Sequence, residues 1–204
     1  DVVGDYSVTY NVSDAAGNAA TPQVRTVRVQ DPTAPVITLT GDAAVTLDYG
    51  ATYQELGATV TDNYDPTFNA TVGGDTVDTS TLGVFTVTYN ATDAAGNPAS
   101  EVQRVVTVAD LTAPVIALIG ANPQILDVNT NSVGSSYVEL GAQADDAYDG
   151  DISNNLVIDA SAVNMDVVGD YSVTYNVSDA AGNAATPQVR TVRVQDPTAP
   201  VITL

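Results

Sequence analysis

The stretch GVFTVTYNATD, residues 83–93, alternates apolar and polar side chains from Phe85 to Thr92. Phe, Val, Tyr and Ala fall on one face, while Thr and Asn fall on the other. This period of two predicts a half-buried β-strand. GDYSVTYNVSD, residues 169–179, repeats the pattern, and Gly, Pro, Asn and Asp punctuate the chain about every 8–12 residues. We therefore predict an all-β chain of tandem antiparallel β-sandwiches, without helices.

The alternation and the turn residues also predict where single strands lie. For the first full repeat we expect strands near residues 35–40, 44–49, 56–61, 68–73, 76–80, 83–92 and 101–108. The second full repeat should match this pattern, with a longer insertion near residues 127–136.

Internal repeats divide the chain. Residues 1–39 are identical to residues 166–204, and DPTAPVITL at 31–39 recurs as DLTAPVIAL at 110–118. YQELGATVTDNYDP at 53–66 matches YVELGAQADDAYDG at 137–150. We predict two diverged domains, 31–109 and 110–195, preceded by the C-terminal part of an earlier repeat (1–30) and followed by the first strand of a later one (196–204). This pattern indicates a segment of a longer repetitive protein.

The composition excludes several functions. The net charge is −20, with five Arg, no Lys and 25 acidic residues, so binding to nucleic acid or to an anionic membrane surface is not expected. No apolar run approaches the roughly 20 residues of a membrane span, so direct insertion into a membrane is not expected either. His and Cys are absent, which removes most nucleophile–base pairs and imidazole or thiolate metal sites. Of the acids, 22 are Asp and three are Glu. Asp is a turn former and a hard oxygen ligand. We predict a protein that is not an enzyme.

The motifs DPTAPVITL, YQELGATVTDNYD and GVFTVTYNATDAAGNPAS of the first domain recur in diverged form and in the same order in the second. In this order they resemble the bacterial immunoglobulin-like tandem repeats of large surface adhesins, and the related hyalin-type repeats. The resemblance implies an extracellular, cell-surface location and a role as an adhesive stalk or filament. It implies neighbouring repeats of the same chain as partners, with other copies in a filament and a surface ligand or glycan as open possibilities.

An alternative is a carbohydrate- or protein-binding module of a secreted protein. The absence of Trp counts against a sugar platform, because such platforms favour exposed aromatic rings. The loop residues Tyr64 and Tyr148 keep this alternative open.

The phrase DAAGN occurs at residues 14–18, 93–97 and 179–183. We predict that it is the turn between the last two strands, at the N-terminal pole of each domain. Turn geometry alone accounts for its Gly and Asn. The TDNYDP loop and the linker Asp before each TAP should reach the same pole, and carboxylates that close repel one another unless a cation joins them. Ca²⁺ takes six to eight oxygen ligands of this kind.

The arrangement also resembles cadherin junctions, where a linker Asp and two loops hold Ca²⁺ between domains. Carried onto this sequence, the resemblance implies a calcium site in each domain that rigidifies the junction. The implied ligands are Asp31, Asp62, Asp65, Asp93 and Asn97 in the first domain, and Asp110, Asp146, Asp149, Asp179 and Asn183 in the second. Lesser candidates are Asn63, Asp145, Asp151, Glu55 and Glu139.

Two further residue types recur at equivalent positions. Tyr89 and Tyr175 occupy one place in the penultimate strand, and Arg104 and Arg190 occupy one place in the last strand. For the tyrosines we predict a buried ring with a bonded hydroxyl, and for the arginines a structural ion pair with a carboxylate.

Overall fold

The structure is a computed structural model that describes residues 2–66, 68–129 and 136–203. The chain divides into two compact units, Asp1–Val108 and Ala109–Leu204. Part of the predicted insertion near 127–136, residues 130–135, lies outside the described residues.

The regular secondary structure of the described residues consists of β-strands and one short 3-10 turn. In the first unit the strands are β1 (Gly4–Tyr10), β2 (Gln23–Val29), β3 (Val36–Leu39), β4 (Ala44–Asp48), β5 (Ala58–Thr61), β6 (Phe68–Asn69), β7 (Thr71–Gly74) and β8 (Gly83–Asn90), and β9 (Val102–Ala109) runs to the start of the second. In the second unit they are β10 (Val115–Leu118), β11 (Gln124–Asp127), β12 (Ala142–Asp146), β13 (Gly150–Asp151), β14 (Val157–Asp159), β15 (Gly169–Asn176) and β16 (Gln188–Gln195). One 3-10 turn, Ser153–Asn155, precedes β14.

In the first unit, strands β3 to β9 form two sheets. One has the order β3-β5-β6 and the other the order β4-β9-β8-β7. The alternating residues of β8 point inward, so Val87 and Tyr89 are buried against Ile37 and Val60 of the opposite sheet. The predicted period of two therefore produces the core of a two-sheet sandwich.

The second unit repeats this arrangement with its own core. Its sheets have the orders β10-β12-β13 and β11-β16-β15-β14. Ile116 and Ala144 from the smaller sheet pack against Val173, Tyr175 and Val192 from the larger sheet. Strand β11 runs parallel to β16, whereas β15 is antiparallel to both of its neighbours.

Strands β1 and β2 form a separate hairpin in the first unit. Its register, from Gly4 opposite Val29 to Tyr10 opposite Gln23, is the register of β15 and β16 shifted by one repeat. The inward-facing side chains of this identical sequence are buried only in the second unit. Tyr10 is 50% exposed, whereas its counterpart Tyr175 is fully buried.

The strand predicted at residues 76–80 is wrong. The carboxylate of Asp78 accepts hydrogen bonds from the backbone NH and hydroxyl of Ser80 and from the hydroxyl of Thr81, which forms a turn instead. The seventh strand of the domain arises because the segment predicted at 68–73 divides. Phe68–Asn69 pairs with β5, and Thr71–Gly74 pairs with β8 in the other sheet.

The described chain contains no helix with the length and apolar character needed to cross a membrane.

Candidate metal centre

In the first unit, three separate segments bring carboxylates to one place. Asp31 comes from the segment between β2 and β3, Asp62 from the loop after β5, and Asp93 from the loop after β8. One carboxylate oxygen of each lies within 4.8 Å of the others. Asp31 and Asp93 are each only 7% exposed. We call these residues, with Asp65, the first cluster.

The backbone of the TDNYDP loop fixes Asp62. Its Oδ1 accepts hydrogen bonds from the backbone NH groups of Tyr64, at 2.8 Å, and Asp65, at 3.0 Å. These donors lower the pKa of Asp62, so the carboxylate is held ionised. Its other oxygen, Oδ2, is buried and has no hydrogen-bond partner. Asp65 ties this loop to the next one by accepting a hydrogen bond from the backbone NH of Ala94, at 2.7 Å.

The DAAGN loop supplies both a carboxylate and the amide that orients it. Asp93 accepts hydrogen bonds from the backbone NH of Asn97, at 2.7 Å, and from its side-chain amide, at 2.6 Å. The same amide donates to the carbonyl of Asp31, at 2.9 Å. Gly96 takes the φ of 92° that closes the turn. Asn97 therefore fastens the linker to the loop, with its amide nitrogen facing both.

The linker aspartate Asp31 is incompletely satisfied. Its Oδ1 accepts from the backbone NH of Thr33, at 3.1 Å, and from the side-chain amide of Asn63, at 3.5 Å. Its Oδ2 is buried without a partner. Two buried oxygens in the first cluster, one from Asp31 and one from Asp62, thus lack a donor, and a buried carboxylate oxygen requires one.

The second unit repeats the site with Asp110, Asp146 and Asp149. One carboxylate oxygen of each lies within 4.8 Å of the others. Asp146 Oδ1 accepts from the backbone NH groups of Tyr148 and Asp149, at 2.8 and 2.9 Å, and its Oδ2 has no partner. Asp179 pairs with both NH donors of Asn183, at 2.7 and 2.8 Å. We call Asp110, Asp146, Asp149 and Asp179 the second cluster.

Asp110 is the least compensated carboxylate of the second cluster. It is 6% exposed, and neither of its oxygens accepts a hydrogen bond of standard geometry. The backbone NH of Thr112 lowers its pKa, but this effect is outweighed. Burial raises the pKa of Asp110, and the charges of Asp146 and Asp179 raise it further. Burial also raises the pKa of Asp179, but the hydrogen bonds from Asn183 outweigh burial and lower it overall.

All ten residues named as cation ligands lie at these two places, but in different roles. Asp31, Asp62 and Asp93 in the first cluster, and Asp110, Asp146 and Asp149 in the second, each place a carboxylate oxygen within 4.8 Å of the others. The remaining members, Asp65 and Asp179, accept hydrogen bonds that hold loops. Asn97 and Asn183 use their amide nitrogens to donate to carboxylate and linker oxygens. In these positions they act as positioning residues.

The donor set suits a hard divalent cation. Every group is an oxygen, and Ca²⁺ binds oxygens at about 2.3–2.6 Å. Two oxygens bound to one such ion are therefore at most about 5 Å apart, and the carboxylate oxygens of each cluster lie within 4.8 Å of one another. Since both clusters also contain buried oxygens without donors, the residues present fit Ca²⁺.

The lesser candidates Glu55 and Glu139 are wrong as cation ligands. Glu55 forms an ion pair with Arg104, whose side chain is 2% exposed. The hydroxyls of Tyr53 and Tyr89 also donate to this carboxylate. The carboxylate is therefore saturated by a structural network, as the recurring Arg and Tyr positions predicted.

The second unit carries the same network around Glu139. Arg190 Nη1 donates to Glu139 Oε1 at 2.9 Å, and Tyr137 and Tyr175 donate to the same carboxylate. Arg190 is fully buried, and its guanidinium lies 5.6 Å from the centre of the Tyr175 ring. The YxEL motif, paired with an Arg about 50 residues later, is the sequence signal of this network.

The Glu55 network predicts a specific acid response. Burial raises the pKa of Glu55, but the hydrogen bonds from Tyr53 and Tyr89, with those from Gly57 and Arg104, outweigh it and hold the pKa at about 2, below the ordinary value of 4.5. The folded-state pKa is depressed, so this contribution to stability is complete above pH 4.5 and is lost as the pH falls towards 2. Urea unfolding of the wild type and Glu55→Gln should therefore differ most above pH 4.5, and the difference should shrink below it.

The matched control for this titration is Glu101→Gln. Glu101 is an exposed glutamate of the same unit. Hydrogen bonds from the side chains of Gln103 and Asn90 lower its pKa, but solvent screens an exposed group. Its replacement should therefore change the pH profile of the free energy of unfolding much less than Glu55→Gln does. A Glu55→Gln profile parallel to the wild type from pH 7 to pH 2 would contradict the assignment.

A family model described as the Ig-like domain of bacterial surface proteins matches residues 37–108 and again residues 116–194. The chain belongs to this family. The match confirms the predicted resemblance, the immunoglobulin-like β-sandwich fold and the extracellular, cell-surface location. The described chain is thus a tandem repeat module of surface Ig-like domains.

Similar proteins come from diverse sources. Internalin I of Listeria monocytogenes is 30% identical over 212 residues, which cover 98% of this chain and 11% of that protein. Hyalin of Strongylocentrotus purpuratus is 29% identical over 202 residues, which cover 94% of this chain and 16% of that protein. An uncharacterised 81.3 kDa protein of Acholeplasma phage L2 is 30% identical over 191 residues, which cover 90% of this chain and 25% of that protein. The surface Ig-like domains described here therefore span a quarter or less of each relative.

Proposed function

We propose that the chain is a structural and adhesive region of a surface protein, in which tandem Ig-like domains form a stalk or filament. Ca²⁺ bound at the first and second clusters stiffens the connections between successive domains. One observation carries this proposal: in each domain, the aspartate of the preceding linker joins two loops in a carboxylate cluster with buried, unpartnered oxygens.

The position of the linker residue explains why binding would stiffen the chain. Asp110 directly follows Ala109, the last residue of β9, and belongs to the second cluster. An ion held by Asp110 and Asp146 therefore fixes the point at which the chain enters the second domain. Pro32 and Pro35 restrict the backbone of the first linker in addition.

The chemistry also supports a non-catalytic role. The chain has no His, Cys or Lys, so the common nucleophile–base pairs cannot form. The carboxylates of the two clusters are bound by backbone and Asn donors that fix loops. We propose that their role is to hold a cation and the linker, with neighbouring repeats of the same chain as the principal partners.

Small-angle X-ray scattering of the whole 204-residue chain tests this proposal. With Ca²⁺ we expect a longer maximum dimension and a narrower distance distribution than with chelator, because a fixed linker samples fewer orientations. Asp110→Asn should lose this calcium response, whereas Asp159→Asn, an exposed aspartate of β14, should keep it. Identical scattering in Ca²⁺ and chelator would overturn the calcium part of the proposal.

The stalk itself has a separate readout. A chain with one additional 165-residue repeat should lengthen in proportion to the added domains, seen by scattering or electron microscopy. A compact particle whose maximum dimension does not grow with the added repeat would contradict the stalk.

A further inference from the structure

We propose that the two clusters differ in calcium affinity and that the second cluster fills first. This inference rests on the proposed function, because it concerns the same ion at the same sites. It is based on differences between the two domains that the shared motifs do not predict. A chain with two unequal calcium sites responds to calcium in two steps.

The first difference is the residue next to the linker aspartate. In the first domain, the side-chain amide of Asn63 donates to Asp31 Oδ1 at 3.5 Å and compensates part of its charge. The equivalent position in the second domain is Ala147, whose side chain has no hydrogen-bond donor. Only one oxygen of Asp31 lacks a partner, whereas neither oxygen of Asp110 has a hydrogen bond of standard geometry. A bound cation therefore provides a partner for more unsatisfied carboxylate oxygens in the second cluster than in the first.

The second difference is the charge around each cluster. Asp145 and Asp151 stand opposite each other on β12 and β13, directly beside Asp146. The first domain has Thr61 and Thr67 at these two positions. Exposed charges act over a Debye length of about 8 Å at physiological salt, so both extra aspartates add negative potential at the second cluster. Calcium affinity in proteins is tuned by the number of charged ligands and their surroundings.

Both differences act in the same direction. Before binding, the second cluster has more unsatisfied carboxylate oxygens and more negative charge around it, and the attraction to a divalent cation rises with both. At intermediate calcium concentrations the second domain therefore holds its ion while the first does not. Connections that enter domains of the second type stiffen first, and the others follow at higher calcium.

Isothermal titration of the whole chain with CaCl₂ tests this order. We expect two steps, with dissociation constants at least about tenfold apart, which corresponds to about 1.4 kcal/mol. Asp110→Asn should abolish the tighter step and Asp31→Asn the weaker step. Circular dichroism in chelator shows whether each variant keeps the wild-type fold.

Two exchange variants isolate the proposed cause. Ala147→Asn should weaken the tighter step several-fold, and Asn63→Ala should strengthen the weaker step, because each exchanges the neighbour of the linker aspartate. Two equal sites, or loss of the tighter step in Asp31→Asn, would overturn the inference and leave calcium binding intact. A chain that binds no calcium would overturn the inference and the calcium part of the proposed function together.

Discussion

Replacing Arg190 by alanine is expected to cost about 3–5 kcal/mol of the free energy of unfolding of the second domain, because it removes a fully buried guanidinium and leaves the partly buried carboxylate of Glu139 without its charge partner. The guanidinium is fully buried, pairs with Glu139 and donates to the carbonyls of Ile119 and Gly141. For a domain of this size, each kcal/mol lowers the thermal midpoint by about 4–8 °C. We therefore expect the midpoint of the second domain to fall by at least about 12 °C.

The same strand provides a matched control. Arg193 pairs with Asp170, and the side chains of both are about half exposed. An ion pair at the surface contributes about 0.2–1 kcal/mol, so Arg193→Ala should lower the midpoint by only a few degrees. Differential scanning calorimetry of the whole chain resolves the two outcomes. Equal effects of Arg190→Ala and Arg193→Ala would show that the buried network does not stabilise the domain.

Saturating calcium is expected to raise the thermal midpoints of both domains. An ion at about 100 times its dissociation constant adds about 2.7 kcal/mol to the free energy of unfolding at one site. This gain corresponds to about 11–22 °C for a domain of this size. The shift should be large because each cluster brings carboxylates within 4.8 Å of one another, and a bound cation offsets the repulsion between them.

Asp146→Asn tests the origin of this shift in the second domain. Its Oδ2 is one of the unpartnered buried oxygens, so the variant should lose most of the calcium shift in that domain and retain the shift in the first. Asp159→Asn is the matched control and should behave as the wild type. Midpoints that are the same in calcium and in chelator would contradict the prediction for both domains.

Local sequence patterns predicted the hairpins, but not their burial. The hairpin of Tyr10 has the strand register of the hairpin of Tyr175. Yet Val8 is 41% exposed and its counterpart Val173 is fully buried. Alternation of apolar residues therefore determines which side chains share a face, whereas burial requires the rest of the sandwich. The strand predicted at 76–80 failed for a local reason, because Asp78 competes for the backbone of the turn.

The candidate site was predictable in outline because its parts repeat. Loop DAAGN closes in the same way around Asp14, Asp93 and Asp179, each bonded to an Asn four residues later. The hydrogen bonds of this turn form within the loop itself, so turn chemistry explains the loop, whereas the linker aspartate distinguishes the candidate site. The unpartnered oxygens were beyond sequence reasoning, because they depend on which donors approach each carboxylate. The alternative of a carbohydrate- or protein-binding module stays a prediction.

The matched register of the hairpins β1–β2 and β15–β16 has a consequence for how a long array reaches its folded state. Two hairpins with identical sequence are interchangeable parts, and tandem proteins with interchangeable parts misassemble by exchanging them between neighbours. In this chain the diverged domain with hairpin β8–β9 lies between the two identical copies. Alternating two domain types thus separates the identical hairpins by one domain. The sequence difference between adjacent domains therefore reduces misassembly between neighbours during folding.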